Sequence, residues 1–235
     1  MRDPLPAPLL LTKSTIPLAN ALSLRTLPLH THEILPSFAL YNILHIYIAP
    51  TISTQLFPQT YPSLPPTTKE NWNIHLVSLL QSTFISTLAL SVMYLDKERR
   101  RMGPVQRVWG YTGATGMVQG FSAGYFFWDL GVCMADVGVH GWGALTHAAA
   151  ALTVSLLGFR PFCNYYGLSF ILYELSTPFL NIHWFLDKTH LTGSTAQFLN
   201  GIILITTFAG SRLVWGTYQS NNTHNYTYLL AQTRR

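Results

Sequence analysis

Ile74–Leu95 reads IHLVSLLQSTFISTLALSVMYL and contains no Asp, Glu, Lys or Arg. A helix needs about 20 predominantly apolar residues to cross a hydrocarbon core of roughly 30 Å, and this stretch is long enough. It is followed at once by DKERRRMGPVQR, Asp96 to Arg107, with five Lys or Arg. An apolar run that ends in a short basic loop is the signature of a membrane span whose end faces the cytosol.

Outward from that span, five further stretches meet the same test. Ile34 to Phe57 is interrupted by Pro36 and Pro50; Val108 to Met134 contains one charge, Asp129; Val137 to Phe159 contains none. Pro161 to Leu186 contains only Glu174, and Thr195 to Tyr218 carries Arg212. Inside lipid every backbone N–H and C=O must find an internal partner, which a helix supplies within one segment. The expected fold is an all-α polytopic membrane helix bundle with about six transmembrane helices.

Basic residues test the span boundaries. With alternating spans and the Asp96–Arg107 loop in the cytosol, Arg2, Lys13, Arg25, Lys97, Arg99, Arg100, Arg101, Arg107, Arg160, Arg234 and Arg235 fall on the cytosolic side. Only Lys69 and Lys188 fall opposite. One missed span would invert every later loop and destroy this bias. Each of the six tryptophans lies near a span end, where amphipathic rings favour the interface.

Composition agrees. The 235 residues are 49% apolar and only 10% charged, against about 25% charged in soluble domains, which excludes disorder. The net charge of +5 is clustered outside the apolar runs, so the bilayer and its lipids, and not nucleic acid, are the expected partners. Two cysteines cannot build a disulfide framework or a Cys-rich metal site. Residues 1–32, with five prolines and no signal-peptide pattern, read as a flexible cytosolic arm; 33–220 form the transmembrane domain; 221–235 read as a polar cytosolic tail. Its two sequons, Asn221 to Thr223 and Asn225 to Thr227, should then stay unmodified.

Polar residues inside the apolar stretches are the candidates for chemistry. Gly113, Gly116, Gly120 and Gly124 recur every three or four residues and should line one side of the third helix as a packing face, through which a homo- or hetero-oligomer is expected. Thr115, Ser122 and Asp129 recur every seven and form a separate polar stripe. By the same rule His140 pairs with His147 on the fourth helix, and Glu174 with Asn181 on the fifth. Ionisable groups are costly against lipid, so these faces should meet around a common cavity. Pro178 cannot donate to the carbonyl of Glu174 and should kink the helix beside its only intramembrane carboxylate. The alternative is that these residues only hold helices together, and Arg212 reads as snorkelling or ion-paired. No metal site is expected, because no H-x-x-x-H or H-E-x-x-H spacing occurs, and no cofactor motif is visible. Cys133 and Cys163 should lie nearly a membrane apart, unable to bond.

Five strings then share a pattern: NWNIHLVSLLQS (Asn71 to Ser82), GYFFWDL (Gly124 to Leu130), THAAAAL (Thr146 to Leu152), ELSTPFLNIHWFLDK (Glu174 to Lys188) and RLVWGTYQS (Arg212 to Ser220). In this order the chain resembles the TLC domain family, which groups ceramide synthases, translocation-associated membrane proteins and smaller lipid-linked proteins, and it is most similar to the small fungal-type members. The resemblance implies an endoplasmic reticulum membrane protein whose helical bundle encloses a lipid-facing cavity; that both termini are cytosolic is the expectation from the basic residues alone. It also implies a role in lipid homeostasis. Ceramide synthases carry a His-His pair and later paired aspartates for acyl transfer from acyl-CoA; here Thr146 precedes His147, and Glu174 has no Asp pair beside it. His147, Asp129 and Glu174 are the expected catalytic residues if the protein is an acyltransferase. Ser122, His140, Asn181 and His183 are the expected lipid contacts. A non-catalytic partner of another membrane protein is the third reading.

Overall fold

The computed structural model describes residues 1–160 and 162–232; the last three residues of the expected tail lie outside them. Among the described residues the secondary structure is helical, without strands. α1 (Leu9–Ala21) leads into α2 (Thr31–Ile43), which runs through a π-turn, Leu44–Ile48, into α3 (Ala49–Leu56). Pro50 lacks the N–H that would reach back to Ile46, and the π-turn absorbs the lost bond without ending the helix. α4 (Pro66–Leu95) begins on a proline suited to a first turn, since that N–H would have no partner anyway. Two short helices follow, α5 (Lys97–Arg100) and α6 (Pro104–Trp109).

α7 (Gly113–Ala135) is capped by Thr112, whose hydroxyl accepts from the Thr115 N–H, and α8 (Val137–Leu157) by Asp136, whose carboxylate accepts from Val139. α9 (Asn164–Ile171) continues through a 3₁₀ turn, Leu172–Ser176, into α10 (Thr177–Lys188). α11 (Thr195–Phe208), a π-turn at Ala209–Trp215 and α12 (Gly216–Gln232) complete the chain.

This is the expected all-α membrane architecture. Among the described residues, Thr31–Leu56, Pro66–Leu95 and Thr195–Tyr228 are long and apolar enough to cross a membrane by length and composition alone. The other expected spans differ for identifiable reasons. α7 has the length, but glycines and its polar stripe dilute its apolar character. Gly141, at φ 81° and ψ 158°, breaks α8. The stretch from Pro161 to Leu186 is divided by the 3₁₀ turn beside Pro178.

The first 32 residues are not a loose arm. Ala19, Leu24 and Leu27 are buried in one cluster with Ile34, Ala123 and Phe159. The Thr26 N–H and hydroxyl both donate to the Phe159 carbonyl, at 3.0 and 2.8 Å. The Met1 amine lies 2.9 Å from Asp96 and 2.6 Å from Glu98. Proline content suggested flexibility, but the leucines between the prolines bury apolar area that offsets the ordering entropy. At the other end α12 continues the helix beyond the sixth apolar stretch, through the sequons to Gln232.

α7 is the axis of the bundle, buried on most of its surface. Its glycine face meets α2: a Cβ on Gly120 would lie 3.1 Å from the Cβ of Glu33, and one on Gly124 would lie 2.5 Å from the Cβ of Ser37. The expected packing face is therefore real, but α2 of the same chain occupies it, so it is not open to a second chain. On another side α7 packs with α4 and α9 through Ile85, Ala89, Val118 and Leu168.

Candidate functional site

A polar cluster sits where α4, α7 and α10 meet. Asn181 is its hub: its Oδ1 lies 2.7 Å from His75 Nδ1, and its Nδ2 donates to the Ser78 hydroxyl at 3.1 Å and to the Thr177 carbonyl at 3.0 Å. Asn181 is only 2% exposed, so each of these bonds replaces water the helices exclude. His75 stacks on Trp184, ring centroids 4.2 Å apart, which fixes the imidazole plane. Ser78 also reaches the Tyr125 phenol, and Tyr125 in turn feels the charges of Asp129 and Glu174. These two carboxylates act on one another across the α7 and 3₁₀ segments.

Local backbone explains the placement of Glu174. Pro178 cannot donate to its carbonyl; the Thr177 N–H does so instead, in the tighter 3₁₀ pattern. The expected kink is therefore a short 3₁₀ turn with Pro178 near the start of the helix that follows. Asn181, seven residues on, enters the cluster from α10.

Of the expected residues the structure places Asn181 in this cluster and buries Ser122 on α7, while Asp129 and Glu174 are half-buried nearby, within electrostatic reach of one another and with no hydrogen bond to the cluster among the described residues. It does not bring in His147, whose side chain is exposed and makes no hydrogen bond, ion pair or ring contact among the described residues. The seven-residue rule failed on α8 because it assumes a continuous helix, and Gly141 lies between His140 and His147. His183 is part-buried with its Nδ1 unpartnered, and the nearest glycine opposite it is Gly201 on α11. Sequence reasoning missed His75, Ser78 and Tyr125; His75 and Ser78 are three residues apart on α4, the spacing that places them on one face.

His140 instead lines a cleft of about 580 Å³ at the far end of α7, walled by Phe38, Asn42, His45, Glu70 and Trp128. There His45 Nε2 lies 3.0 Å from Glu70 and its ring meets Trp128 edge-on at 5.5 Å. An aromatic wall with a paired imidazole and carboxylate at a span end suits a group that is part apolar and part polar. Arg212 has no carboxylate partner among the described residues; its guanidinium lies over the Phe208 and Tyr173 rings at 5.3 and 5.9 Å, inside the Ala209–Trp215 π-turn. Cys133 and Cys163 are unbridged.

One cluster with metal-ligand chemistry exists elsewhere. Asp3, His30 and Glu33 bring their ligand atoms within 4.8 Å of one another. The expectation of no such constellation rested on spacing within one helix, and these ligands come from two segments.

Comparison with known proteins places this geometry. The TLC domain family model matches residues 71–233. An uncharacterised TLC domain-containing protein of Schizosaccharomyces pombe is 39% identical over 92% of this chain and 72% of its own length. Topoisomerase I damage affected protein 4 of Saccharomyces cerevisiae is 32% identical over 81% of this chain and 68% of its own. TLC domain-containing protein 4 of Homo sapiens is 26% identical over 73% of this chain and 65% of its own. No solved structure matches. With its helices, its polar seam between α4, α7 and α10, and a family match that spans all three, this chain belongs to the TLC domain family.

Proposed function

We propose that the protein is an endoplasmic reticulum membrane protein, with both termini cytosolic, that binds or handles lipid and contributes to lipid homeostasis. The observation that carries this reading is the polar cluster itself. A bundle that only needed to hold together would not bury a His75–Asn181–Ser78 network and keep two half-buried carboxylates, Asp129 and Glu174, within electrostatic reach of Tyr125 beside it, since ionisable groups at membrane depth are expensive and helix packing alone gains little from them. Such a cluster offers donors and acceptors to a lipid headgroup or ester inside an apolar wall.

The acyltransferase alternative, with acyl-CoA as donor, has less support in the form that centres on His147, because that imidazole touches neither carboxylate. A catalytic version of the site would use His75, which Asn181 orients through Nδ1. The structural-partner reading loses its surface, since α2 covers the glycine face.

Lipid profiles of cells lacking the protein, with rescue by wild type and by Asp129→Asn, test the proposal. We expect a lipid change that wild type restores and that Asp129→Asn does not, although the variant accumulates in the same membrane. An unchanged profile in the deletion overturns the lipid reading. Rescue lost with His147→Ala but kept with Asp129→Asn would move the site to α8.

A further inference from the structure

At the start of α7, opposite the cleft, Asp3, His30 and Glu33 form a pocket of ligand atoms that the polar seam does not use. His30 precedes α2 and Glu33 lies in its first turn, three residues on, so both side chains share a face. Asp3 arrives because the chain before α1 crosses the start of α7, where Gly113 leaves it no more than backbone clearance. His32 holds the same segment, with Nε2 3.0 Å from the Leu5 carbonyl.

Distances, chemistry and burial agree. His30 Nδ1 lies 3.4 Å from Asp3 Oδ2 and 3.1 Å from Glu33 Oε2. Ligands bound tetrahedrally at zinc distances stand roughly 3.3–3.5 Å from one another, so small shifts would seat an ion between them. Asp3 Oδ1 is occupied by the Leu5 N–H, while Oδ2, the atom facing His30, has no hydrogen bond. Glu33 is 1% exposed and its Oε1 also has no hydrogen-bond partner. A buried carboxylate, Glu33, and a half-buried one, Asp3, face a single imidazole, with His32 3.3 Å from Glu33 and, among the described residues, no Lys or Arg paired to either acid. On the other side His30 Nε2 meets the Tyr111 hydroxyl, the outer partner that a metal-bound imidazole ordinarily has. A Cβ on Gly116 would lie 2.2 Å from that Nε2, so the glycine makes room for the ring.

We propose that Asp3, His30 and Glu33 bind one divalent transition-metal ion, best matched by zinc, which clasps the N-terminal segment to the starts of α2 and α7. One nitrogen and two carboxylate donors without thiolate suit a borderline cation; calcium and magnesium would want more oxygens, and manganese binds such sets more weakly than zinc.

The test uses the full chain in detergent, stripped with chelator, dialysed against Zn²⁺, Mn²⁺ or Mg²⁺ separately, and measured for bound metal and thermal unfolding. We expect about one Zn²⁺ per chain, less Mn²⁺ and no Mg²⁺, with the unfolding midpoint raised by roughly 5–10 °C at a hundredfold excess over Kd. Asp3→Asn and Glu33→Gln should lose the bound Zn²⁺ and the midpoint shift. His45→Gln, which removes the other His–carboxylate pair, should keep both. In chelator Asp3→Asn should melt at or above wild type, because it removes a repelling charge, and this separates lost binding from lost folding. Absence of bound metal in wild type would show that the acids share a proton instead and would overturn the proposal. So would equal Zn²⁺ retention by Asp3→Asn and Glu33→Gln.

Discussion

α7 packs by two opposite strategies. Against α2 it presents missing side chains: Gly116, Gly120 and Gly124 let the backbones approach until a single added carbon meets backbone or ring atoms. Against α4 it presents a functional group, the Tyr125 phenol, to Ser78, which in turn is hydrogen-bonded to Asn181 of α10. In lipid, apolar area gives no drive for helices to associate, so close backbone approach and polar bonds are what remain. The first side is specified by sterics and should tolerate no growth. The second is specified by donors and acceptors and should tolerate shape-preserving change while losing function.

The largest expected effect tests the steric side. On Gly124 a Cβ would lie 2.5 Å from the Ser37 Cβ and 2.6 Å from the Ile34 carbonyl oxygen, and neither can swing away. Gly124→Ala should cost about 2–3 kcal/mol of stability in detergent, as overpacking does. Gly131 on the same helix has nothing within 4 Å of a Cβ, so Gly131→Ala should be neutral or gain about 0.5–1 kcal/mol from reduced chain entropy. Equal thermal shifts in the two variants would show that glycine content, and not the α2 contact, sets the behaviour of α7.

Next comes the polar side. Asn181→Leu removes three hydrogen bonds and leaves His75 and Ser78 without their shared partner. At about 0.6 kcal/mol per bond within a membrane, the loss should be about 1–2 kcal/mol. Asp129→Asn keeps the shape of its side chain and should change stability by less than about 0.5 kcal/mol while abolishing rescue of the lipid phenotype. A large stability loss with Asp129→Asn would mean that the carboxylate is structural, and the distinction between the two faces of α7 would fail.

The same contrast explains what was legible in the sequence. Helical class and the glycine face follow from local periodicity, which survives because Gly113–Ala135 is one continuous helix. Two candidates for the proposed site are visible there too, since Asp129 and Glu174 stand out as charges in apolar runs. His75 and Ser78 did not, because an uncharged polar residue in a span carries no signal until its partner, Asn181 from over a hundred positions away, is placed against it. His147 misled because Gly141 adopts a φ that ends helical phase, and a glycine in a sequence does not declare its φ. The Asp3–His30–Glu33 cluster was illegible for a related reason: spacing rules read ligands along one element, and Asp3 reaches the site only through the fold of residues read as flexible.

The smallest expected effect lies outside the membrane, where neither strategy of α7 applies and charge alone is at work. Asp96, at the end of α4, is buried; burial pushes its carboxyl up, but the Met1 amine, the Arg99 N–H and Thr112 outweigh it and hold the group below its ordinary value. Asp187, after the fifth apolar stretch, is held below its ordinary value by Lys188 and Thr192, yet its side chain is 42% exposed where that of Asp96 is fully covered. A carboxyl depressed in the folded state contributes stability above its unfolded pKa of about 3.9, and that contribution is lost as pH falls through the folded value. Acid melting of wild type should therefore lose stability below about pH 4, and Asp96→Asn should flatten that limb. Asp187→Asn should leave it in place, since solvent and salt screen an exposed pair. If Asp187→Asn flattened the acid limb and Asp96→Asn did not, burial would not be what makes a charge matter at the ends of these helices.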